Sequence, residues 1–425
     1  MIGFNEVSRL RFICAFCFFI SLHMYVKVSL MGVVIPPLMP GIFAVLMLLL
    51  NRVNPNKNLI VLYAGMIVVA ISSMVFSPGL EQYAGELVKG VAYYVYSITI
   101  AVIVFHELSS WTGKSLSSLF LTLISVFIVG LMLENYTILR GVSELFRQEI
   151  IIYDLYDADQ RDMDMVGMIR PKFFSSEPSF VALSVLLYMT AWFIVTDVKY
   201  RVLVYSILSV VFFLLIRSPV LLLLFVNMLI VALFIHGDEK RIRQSKKYSL
   251  VLFVGVVACS LLFYFFHDRL NSIVSLDDPS FLIRVVVPIL ISKYVFTEYP
   301  FFGIGIGGYD ILEYQIKSVF ESLNIVLTFD SKIIASKLVN VFWVHWISLG
   351  LVGGFAVIYL WLHFLKKINL FRFRYLFSLI VIVVGFSQVM GGYNGVRFWC
   401  FLMTVMSVTW VRRNMEAKYM LRLIY

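Results

Sequence analysis

Charged residues are scarce in this 425-residue chain, in which Asp, Glu, Lys and Arg together make up only 14% of the sequence. An ordinary soluble domain is about one quarter charged and about 45–50% apolar, whereas this chain is 61% hydrophobic, with a mean hydropathy of +0.93. Its polar residues are too few to cover the surface of a water-soluble protein of this size. The composition therefore excludes a cytosolic enzyme, a disordered scaffold and a secreted module, and it indicates a polytopic membrane protein.

Cysteine is also rare, and the four cysteines, Cys14, Cys17, Cys259 and Cys400, all lie within apolar runs. This placement excludes a disulfide framework. Cys14 and Cys17 form a C-x-x-C pair, but no second pair accompanies them. We therefore expect small apolar packing residues, with no metal and no cofactor.

Long apolar runs fill most of the chain. A membrane-crossing helix needs about 20 apolar residues, and somewhat fewer if its charged ends snorkel. The sequence predicts an all-α protein with about twelve spans in one integral membrane domain over 1–425: 10–31, 33–50, 59–76, 86–105, 116–133, 178–196, 201–216, 219–236, 248–266, 342–364, 375–390 and 396–411. The even number places both termini on one side of the membrane.

Basic residues indicate which side that is. The formal net charge is +10, and the excess of Lys and Arg lies in the two tails and in the short loops near 51–58, 237–247 and 365–374. Cytoplasmic loops carry such an excess, so both termini are predicted to be cytoplasmic and the charge is a topology signal, not a nucleic-acid footprint. The two long loops, 134–177 and 267–341, then both lie outside, where we expect the chemistry to occur.

Two arginines lie where a cation is costly. Arg217 occupies a minimal turn between the seventh and eighth spans, where it either snorkels to the interface or binds an anion such as phosphate. Arg284 lies in an apolar segment, 280–296, that is too short to span and is predicted to lie along the membrane surface. Gly303 and Gly305 follow in a glycine-rich loop whose N–H groups can form an anion-binding nest.

Two further candidates open spans on the outer side. His345 lies about one turn inside the tenth span, either as a hydrogen-bonded core residue or as a general base or phosphate ligand. Glu177 precedes Pro178 at the start of the sixth span, a position that is also typical of a helix cap. The basic Arg170 and Lys172 just before it favour a site there.

The remaining polar candidates are weaker. Arg397 closes the last outer turn, 391–397, and is a candidate anion ligand of the same kind. His23 and Lys27 lie four residues apart, on one face of the predicted first helix, and the sequence assigns them no role. The acidic cluster over 154–164 contains D-x-D spacings, but a solvated acidic loop is favoured over a divalent-metal site.

Taken in order, these motifs resemble the bacterial O-antigen polymerase and O-antigen ligase superfamily. The resemblance is carried by the segment 174–179 before a span, Arg217 in an outer turn, Arg284 ahead of the glycines at 303–307, and His345 at the start of the next span. It covers roughly residues 165–365, and the Ser-Glu-Pro-Ser element is more similar to the polymerase (Wzy-type) branch.

The resemblance implies a GT-C-type glycosyltransferase of the bacterial inner membrane with its active site on the periplasmic face. In such a polymerase, an undecaprenyl-diphosphate-linked glycan chain is transferred onto the non-reducing end of a lipid-linked repeat unit, extending lipopolysaccharide O-antigen. The implied reaction is metal-independent and inverting, with arginines on the diphosphate. The resemblance favours His345 as the base, with Glu177 as the alternative. A chain-length regulator is the implied partner, besides the lipid substrate.

Two other functions remain open at this point. An O-antigen ligase of the same superfamily would transfer the finished glycan to lipid A–core. A lipid-linked oligosaccharide flippase would carry charges along the middle of several helices and short loops on both sides, whereas polar residues here concentrate at the outer surface. The polymerase is therefore favoured, the ligase is second and the transporter a distant third.

Overall fold

A computed structural model describes residues 8–30, 33–51, 54–150, 159–235, 281–323 and 340–422, together with positions 260, 271, 278 and 338. The α-helices in chain order are α1 (Arg9–Met24), α2 (Leu38–Leu50), α3 (Lys57–Val75), α4 (Leu80–Ser109), α5 (Gly113–Tyr136), α6 (Leu139–Ile150), α7 (Asp159–Val166), α8 (Pro178–Val195), α9 (Arg201–Ile216), α10 (Leu222–Ile230), α11 (Val287–Glu298), α12 (Glu313–Ser322), α13 (Val341–Lys367), α14 (Phe373–Ser387) and α15 (Val396–Arg422). Short 3₁₀ or π segments flank some of them, at Pro219–Leu221, Val231–Ile235, Leu282–Val286 and Tyr309–Leu312.

The described helices confirm a helical membrane protein. Within the described residues, five helices are long and apolar enough to cross a membrane: α3, α4, α5, α8 and α13. Shorter apolar helices occupy other predicted spans: α2, α9, the segment Pro219–Ile235 and α14. The span predicted at 248–266 lies outside the described residues except for position 260.

The first predicted span, 10–31, was too long. Helix α1 ends at Met24, and Tyr25 follows in a left-handed conformation with φ 53°. A short antiparallel hairpin, β1 (Val28–Leu30) and β2 (Val33–Ile35), replaces the rest of the span. Lys27 therefore lies beyond the helix and shares no helical face with His23.

Both segments predicted as long outer loops contain helices. The segment 134–177 carries α6 and α7, and the described part of 267–341 carries α11 and α12. The predicted surface segment at 280–296 is helical, since the π turn at Leu282–Val286 runs directly into α11. Which side of the membrane these segments face stays a prediction.

Helix α8 lies at the centre of the helix bundle, because 83% of its residues are buried inside the protein. It packs against α5 and α15, and α15 also packs against α4, the longest described helix. Two polar side chains inside the bundle have hydrogen-bond partners there: the Tyr188 hydroxyl donates to the Phe19 carbonyl at 2.9 Å, and the Asn227 amide donates to Thr190 Oγ1 at 3.2 Å.

Helix α13 is broken in the middle by Gly350, whose φ of 62° and ψ of −166° are not helical. The loop over 300–305 fills the break. Its Ile304 and Gly305 amides donate to the Ile347 and Ser348 carbonyls, at 3.0 and 3.1 Å. In return the amides of residues 351 and 352, which begin the second half of the helix, donate to the carbonyls of residues 300 and 301, at 2.8 and 2.9 Å. Backbone groups freed by the break are thus paired within the protein, as a membrane interior demands.

This contact gives Gly303 and Gly305 a role different from the expected anion nest. Both have positive φ angles, 65° and 81°. The Gly303 amide donates to the Tyr299 carbonyl at 3.1 Å, and the Gly305 amide is used by Ser348, so neither N–H faces an open anion site. A Cβ atom at Gly303 would lie 2.4 Å from the Ile347 oxygen. These glycines therefore allow two backbone segments to approach closely.

We predict that Gly303→Ala lowers the melting temperature of the detergent-purified protein. The added Cβ must push the loop out of the break in α13, and overpacking of this kind costs about 1–3 kcal/mol. Thermal unfolding followed by tryptophan fluorescence measures the effect.

The matched control is Gly85→Ala. Gly85 lies in α4, with no atom within 4 Å of the position of an added Cβ. In a helix this change stabilises by roughly 0.5–1 kcal/mol, so the control should melt at or above the wild-type temperature. Equal melting temperatures for Gly303→Ala and wild type would contradict the close packing described for the loop.

Candidate active site

A small cavity of about 40 Å³ opens between α1, α8 and the start of α15. It is far smaller than the 300–1,000 Å³ or so that is typical of a whole ligand site, so it has room for only part of a ligand. Its walls are mostly apolar, with Leu22, Leu183 and Leu187 among them, and its polar groups include His23, Ser184, Tyr188 and Arg397. One cation among apolar walls suits a ligand that has both an anionic group and an apolar part.

Arg397 joins the last helix to the end of the first. Its Nε donates to the Leu22 carbonyl at 3.1 Å, and its Nη2 donates to the His23 carbonyl at 2.5 Å. The guanidinium lies between the rings of Tyr25 and Phe180, 4.2 and 3.9 Å from their centroids. A cation here complements the carbonyl end of the α1 dipole. Because carbonyl groups are neutral, the positive charge of Arg397 is not cancelled by these partners.

His23 lies between this cavity and the chain before α8. Its Nε2 lies 2.8 Å from the Phe173 carbonyl, and its Nδ1 lies 2.9 Å from Ser184 Oγ. A carbonyl only accepts hydrogen bonds, so Nε2 carries the proton in this contact. His23 is 2% exposed and therefore acts as a buried bridge from α1 to the segment that leads to Glu177.

Glu177 lies at the N-cap of α8, immediately before Pro178. Its side chain makes no capping hydrogen bond to the helix, and its Oε2 accepts a hydrogen bond from Ser179 Oγ at 2.7 Å. Glu177 is half-buried, interacts electrostatically with Arg397, and lies one turn before Phe180, which lines the cavity. The structure thus brings Glu177 and Arg397 to the same end of α8.

The segment before Glu177 is held in an unusual backbone conformation. Phe173 and Phe174 are consecutive non-glycine residues with positive φ angles, 40° and 63°. The Glu134 carboxylate accepts hydrogen bonds from the backbone amides of Lys172 and Phe173, at 3.0 and 2.7 Å. Gly130 leaves room for the Phe173 ring, which lies 2.1 Å from the position of an added Cβ. Strained backbone is retained where surrounding contacts enforce it, commonly at functional sites.

Ion pairs hold the basic residues of this segment. Arg170 Nη2 lies 2.6 Å from Asp162 Oδ1, while Lys172 Nζ lies 2.8 Å from Glu144 and 3.1 Å from Asp159. Arg170 was predicted to bind substrate, but in this structure its charge is paired with a carboxylate that is 2% exposed. Two members of the acidic cluster are likewise occupied by basic side chains.

In the part of the chain that the structure describes, no three His, Cys, Asp or Glu side chains come together as a group that could bind a metal ion. The acidic positions 154 and 157 lie outside that part.

Arg217 ends α9 in a left-handed conformation, with φ 46°, and its amide donates to the Phe213 carbonyl at 2.8 Å. Its Nη1 lies 3.6 Å from the position of an added Cβ at Gly167, directly after α7. The neighbouring Leu215 carbonyl accepts a hydrogen bond from Asn135 at the end of α5, at 3.1 Å. Arg217 therefore lies beside the same α5–α7 region that holds Arg170, and it does not line the cavity.

Arg284 is connected through Asn340 to the turn over 388–397, which joins α14 to α15. Asn340 Nδ2 donates to the Arg284 carbonyl at 3.2 Å and to Gln388 Oε1 at 2.9 Å. The next residue, Val341, donates its amide to the Met390 carbonyl at 3.2 Å, and Met390 lines the cavity. The Arg284 backbone is thus fixed against the turn that ends at Arg397.

His345 is bonded through both ring nitrogens. Its Nε2 lies 3.3 Å from the Gly354 carbonyl, across the break in α13, and its Nδ1 lies 2.9 Å from the Tyr393 hydroxyl. Burial holds the pKa of Tyr393 well above its ordinary value, so the hydroxyl keeps its proton and donates to Nδ1. In this arrangement His345 connects the two halves of α13 to each other and to the turn over 388–397.

The turn over 388–397 is therefore the feature that joins the predicted residues. Through Gln388 it reaches Arg284, through Tyr393 it reaches His345, and it ends at Arg397. The sequence analysis assigned no role to His23 and did not single out Glu134 or Tyr393. A carboxylate directly after an apolar span is the signal that could have indicated Glu134.

We predict that Glu134→Ala destabilises the segment before Glu177. The change leaves two backbone amides without their acceptor, at about 1–3 kcal/mol for each buried donor. Glu134→Gln retains one carbonyl oxygen and should have a smaller effect on the melting temperature.

Glu86→Ala is the control, because Glu86 is an exposed acid whose pairing with Lys89 at 3.4 Å contributes little. A wild-type melting temperature for Glu134→Ala would refute the proposed role of this carboxylate.

Among curated proteins, none matches the chain significantly. The sequence profile of the WcaD colanic acid polymerase family matches residues 15–317, which is more than half of the chain. The matched region begins within α1 and ends within α12, so it contains Glu177, Arg217 and Arg284 and ends before His345 and Arg397. The chain belongs to the WcaD colanic acid polymerase family.

Proposed function

We propose that this protein is a GT-C-type glycosyltransferase that polymerises polysaccharide from lipid-linked repeat units at the outer face of the bacterial inner membrane. It transfers an undecaprenyl-diphosphate-linked glycan onto the non-reducing end of an incoming lipid-linked unit. The observation that carries the proposal is the cavity in which Arg397 lies among apolar walls beside Glu177. The resemblance implies that the product is O-antigen, whereas the name of the matched family refers to colanic acid.

The reaction is a single displacement at the anomeric carbon of the donor sugar. The acceptor hydroxyl attacks C1, the bond between C1 and the diphosphate oxygen breaks, and the electron pair leaves with undecaprenyl diphosphate. The hydroxyl proton passes to a base of the protein. Attack opposite the leaving group inverts C1, and guanidinium groups neutralise the diphosphate without a metal ion.

Glu177 is the base that the geometry favours over His345. It is half-buried at the end of α8 next to the cavity, and an ionised carboxylate only accepts protons and hydrogen bonds. Both nitrogens of His345 already have partners, and donation by Tyr393 occupies the nitrogen that would otherwise accept a proton. We therefore assign His345 to positioning the last outer turn.

Arg397 and Arg284 are the proposed diphosphate ligands, with Arg217 as a third cation near the α5–α7 region. Arg397 lines the cavity, and the Arg284 backbone is fixed to the same outer turn. The planar guanidinium suits two oxygens of one phosphate. Arg170 is assigned to the ion pair with Asp162 and Gly303 and Gly305 to helix packing, so none of them is a substrate ligand in this proposal.

The cellular setting completes the proposal. Both termini are cytoplasmic, the segments 134–177 and 267–341 face the periplasm and cover the glycan, and a chain-length regulator is a partner. The basic residues of the tails and short loops support this orientation.

We predict that Glu177→Gln abolishes chain extension while the protein still binds its lipid-linked substrate. The amide has the shape of the carboxylate and still accepts from Ser179, but it takes no proton, and losing a general base costs about 10²–10⁴-fold in rate. The assay gives purified protein the undecaprenyl-diphosphate-linked repeat unit extracted from the source bacterium and resolves products by length.

The control is Glu86→Gln, an exposed acid in α4 that lies outside the proposed site. A fully active Glu177→Gln variant, together with an inactive but normally folded His345→Ala variant, would move the base to His345.

We also predict that wild-type polymerisation continues in EDTA and that Arg284→Lys and Arg397→Lys raise KM more than they lower kcat. Lysine keeps the positive charge but lacks the planar fork that holds two phosphate oxygens. Initial rates over a range of substrate concentrations measure the two constants.

Loss of all activity in EDTA would overturn the metal-independent mechanism. Transfer of preformed glycan to lipid A–core without a ladder would make the chain a ligase. Movement of lipid-linked sugar across liposome membranes without either reaction would make it a transporter.

A further inference from the structure

Helix α6 and the residue before it present an apolar stripe whose side chains are about half exposed or more. Val142 and Leu145 are three residues apart and share a helical face, and Ile138 precedes them by one turn. Their exposed fractions are 49%, 61% and 89%. An exposed apolar stripe of this kind is costly in water and indicates a contact surface.

The stripe lies close in the chain to exposed apolar side chains of a membrane-spanning helix. Along α5, the side chains of Val129, Met132 and Leu133 are 56%, 45% and 44% exposed. Helix α5 is also among the helices that are apolar enough to cross a membrane. Only Thr137 and Ile138 separate α5 from α6. The exposed apolar side chains of the span are therefore separated from the stripe by only a few residues of chain.

The opposite side of α6 holds the segment that leads to Glu177. Ser143 Oγ accepts from the Phe174 amide at 3.1 Å, and Arg147 Nη2 donates to the Ser176 carbonyl at 3.2 Å. Glu144 pairs with Lys172, and Phe146 contacts Phe174 with its ring. Ser143 and Arg147 are 1% and 2% exposed, so this side is as firmly packed as the protein core.

From these contacts we propose that α6 is an interfacial helix that lies on the membrane surface at the end of α5, with Ile138, Val142 and Leu145 inserted among the lipids. The occupant of the stripe is the bilayer, because the stripe lies only a few residues of chain beyond the lipid-facing side chains of α5. A helix with one apolar and one polar side binds at the boundary between head groups and acyl chains.

The consequence for the site rests on the proposed function. The bilayer sets the depth of α6, α6 holds residues 172–176, and that segment places Glu177. The base is thereby kept at the level of the interface, where the diphosphate of a membrane-embedded lipid substrate lies. We expect the membrane contact of α6 to be needed for substrates presented in bilayers.

Lipid contact is tested with a fluorophore on the full-length protein. Single variants Val142→Cys and Leu145→Cys are labelled with an NBD maleimide and reconstituted in phosphatidylcholine–phosphatidylglycerol liposomes, with labelled wild type as the blank for native cysteines. Nitroxide groups near the head of the acyl chain should quench both labels, and aqueous iodide should not. Glu321→Cys, on the exposed polar side of α12, is the control and should show the opposite pattern.

Each other pattern overturns the proposal. Quenching of the α6 labels by iodide alone would place the stripe in water. Protection from both quenchers would mean that protein covers it, either a second copy of this chain or another partner. These outcomes are independent of catalysis, so a failure of the proposed function is distinguishable from a failure of the membrane contact.

A functional experiment tests the consequence for the site. Leu145→Asp should lose most polymerisation of substrate embedded in liposomes, while Leu145→Phe keeps it, and both should melt like wild type because the side chain is exposed. In detergent micelles, with a short-chain prenyl diphosphate-linked unit, Leu145→Asp should regain activity. Equal activity of Leu145→Asp and wild type in liposomes would overturn the positioning role.

Discussion

The backbone's need for hydrogen-bond partners inside a membrane is the constraint on which this structure depends. At three places where the described chain leaves regular helix, another segment supplies the missing hydrogen-bond partners. The loop at 300–305 pairs with the broken helix at Gly350, Glu134 accepts from the amides before Glu177, and Arg397 donates to the carbonyls that end α1. Each of these sets of hydrogen bonds joins parts of the chain that are distant in sequence. Together they fix the irregular backbone around the candidate site.

The cations near this site fall into two groups according to their partners. Arg170 and Lys172 form ion pairs with carboxylates, and these ion pairs hold the segment before Glu177 in place. The contacts of Arg397 are instead with neutral carbonyls and aromatic rings. Glu177 also attracts this guanidinium electrostatically, but no direct ion pair joins the two side chains, so no carboxylate is bonded to Arg397 in place of an anionic ligand. This difference in partners, more than position in the sequence, separates structural from candidate binding arginines.

Much of the fold could be predicted from the sequence, because membrane-crossing helices are read directly from apolar runs. The break at Gly350 could not, since the residues around it continue an apolar run and the break depends on a loop about fifty positions earlier. The same holds for Arg397, which was a weak candidate because its partners Leu22 and His23 lie near the other end of the chain. The glycines at 303 and 305 show a related limit: a glycine loop permits close approach, but sequence does not say whether a ligand or another backbone approaches, and in the structure the backbone of α13 does.

The contact between Arg397 and Leu22 joins residues 375 positions apart. The first helix is made early during synthesis, yet the group that caps its carbonyl end is added only with the last helix. Until then the cavity lacks one wall and its cation. A chain that lacks α15 therefore has no complete cavity. Under the proposed function, the order of translation itself keeps unfinished molecules from binding the lipid-linked sugar.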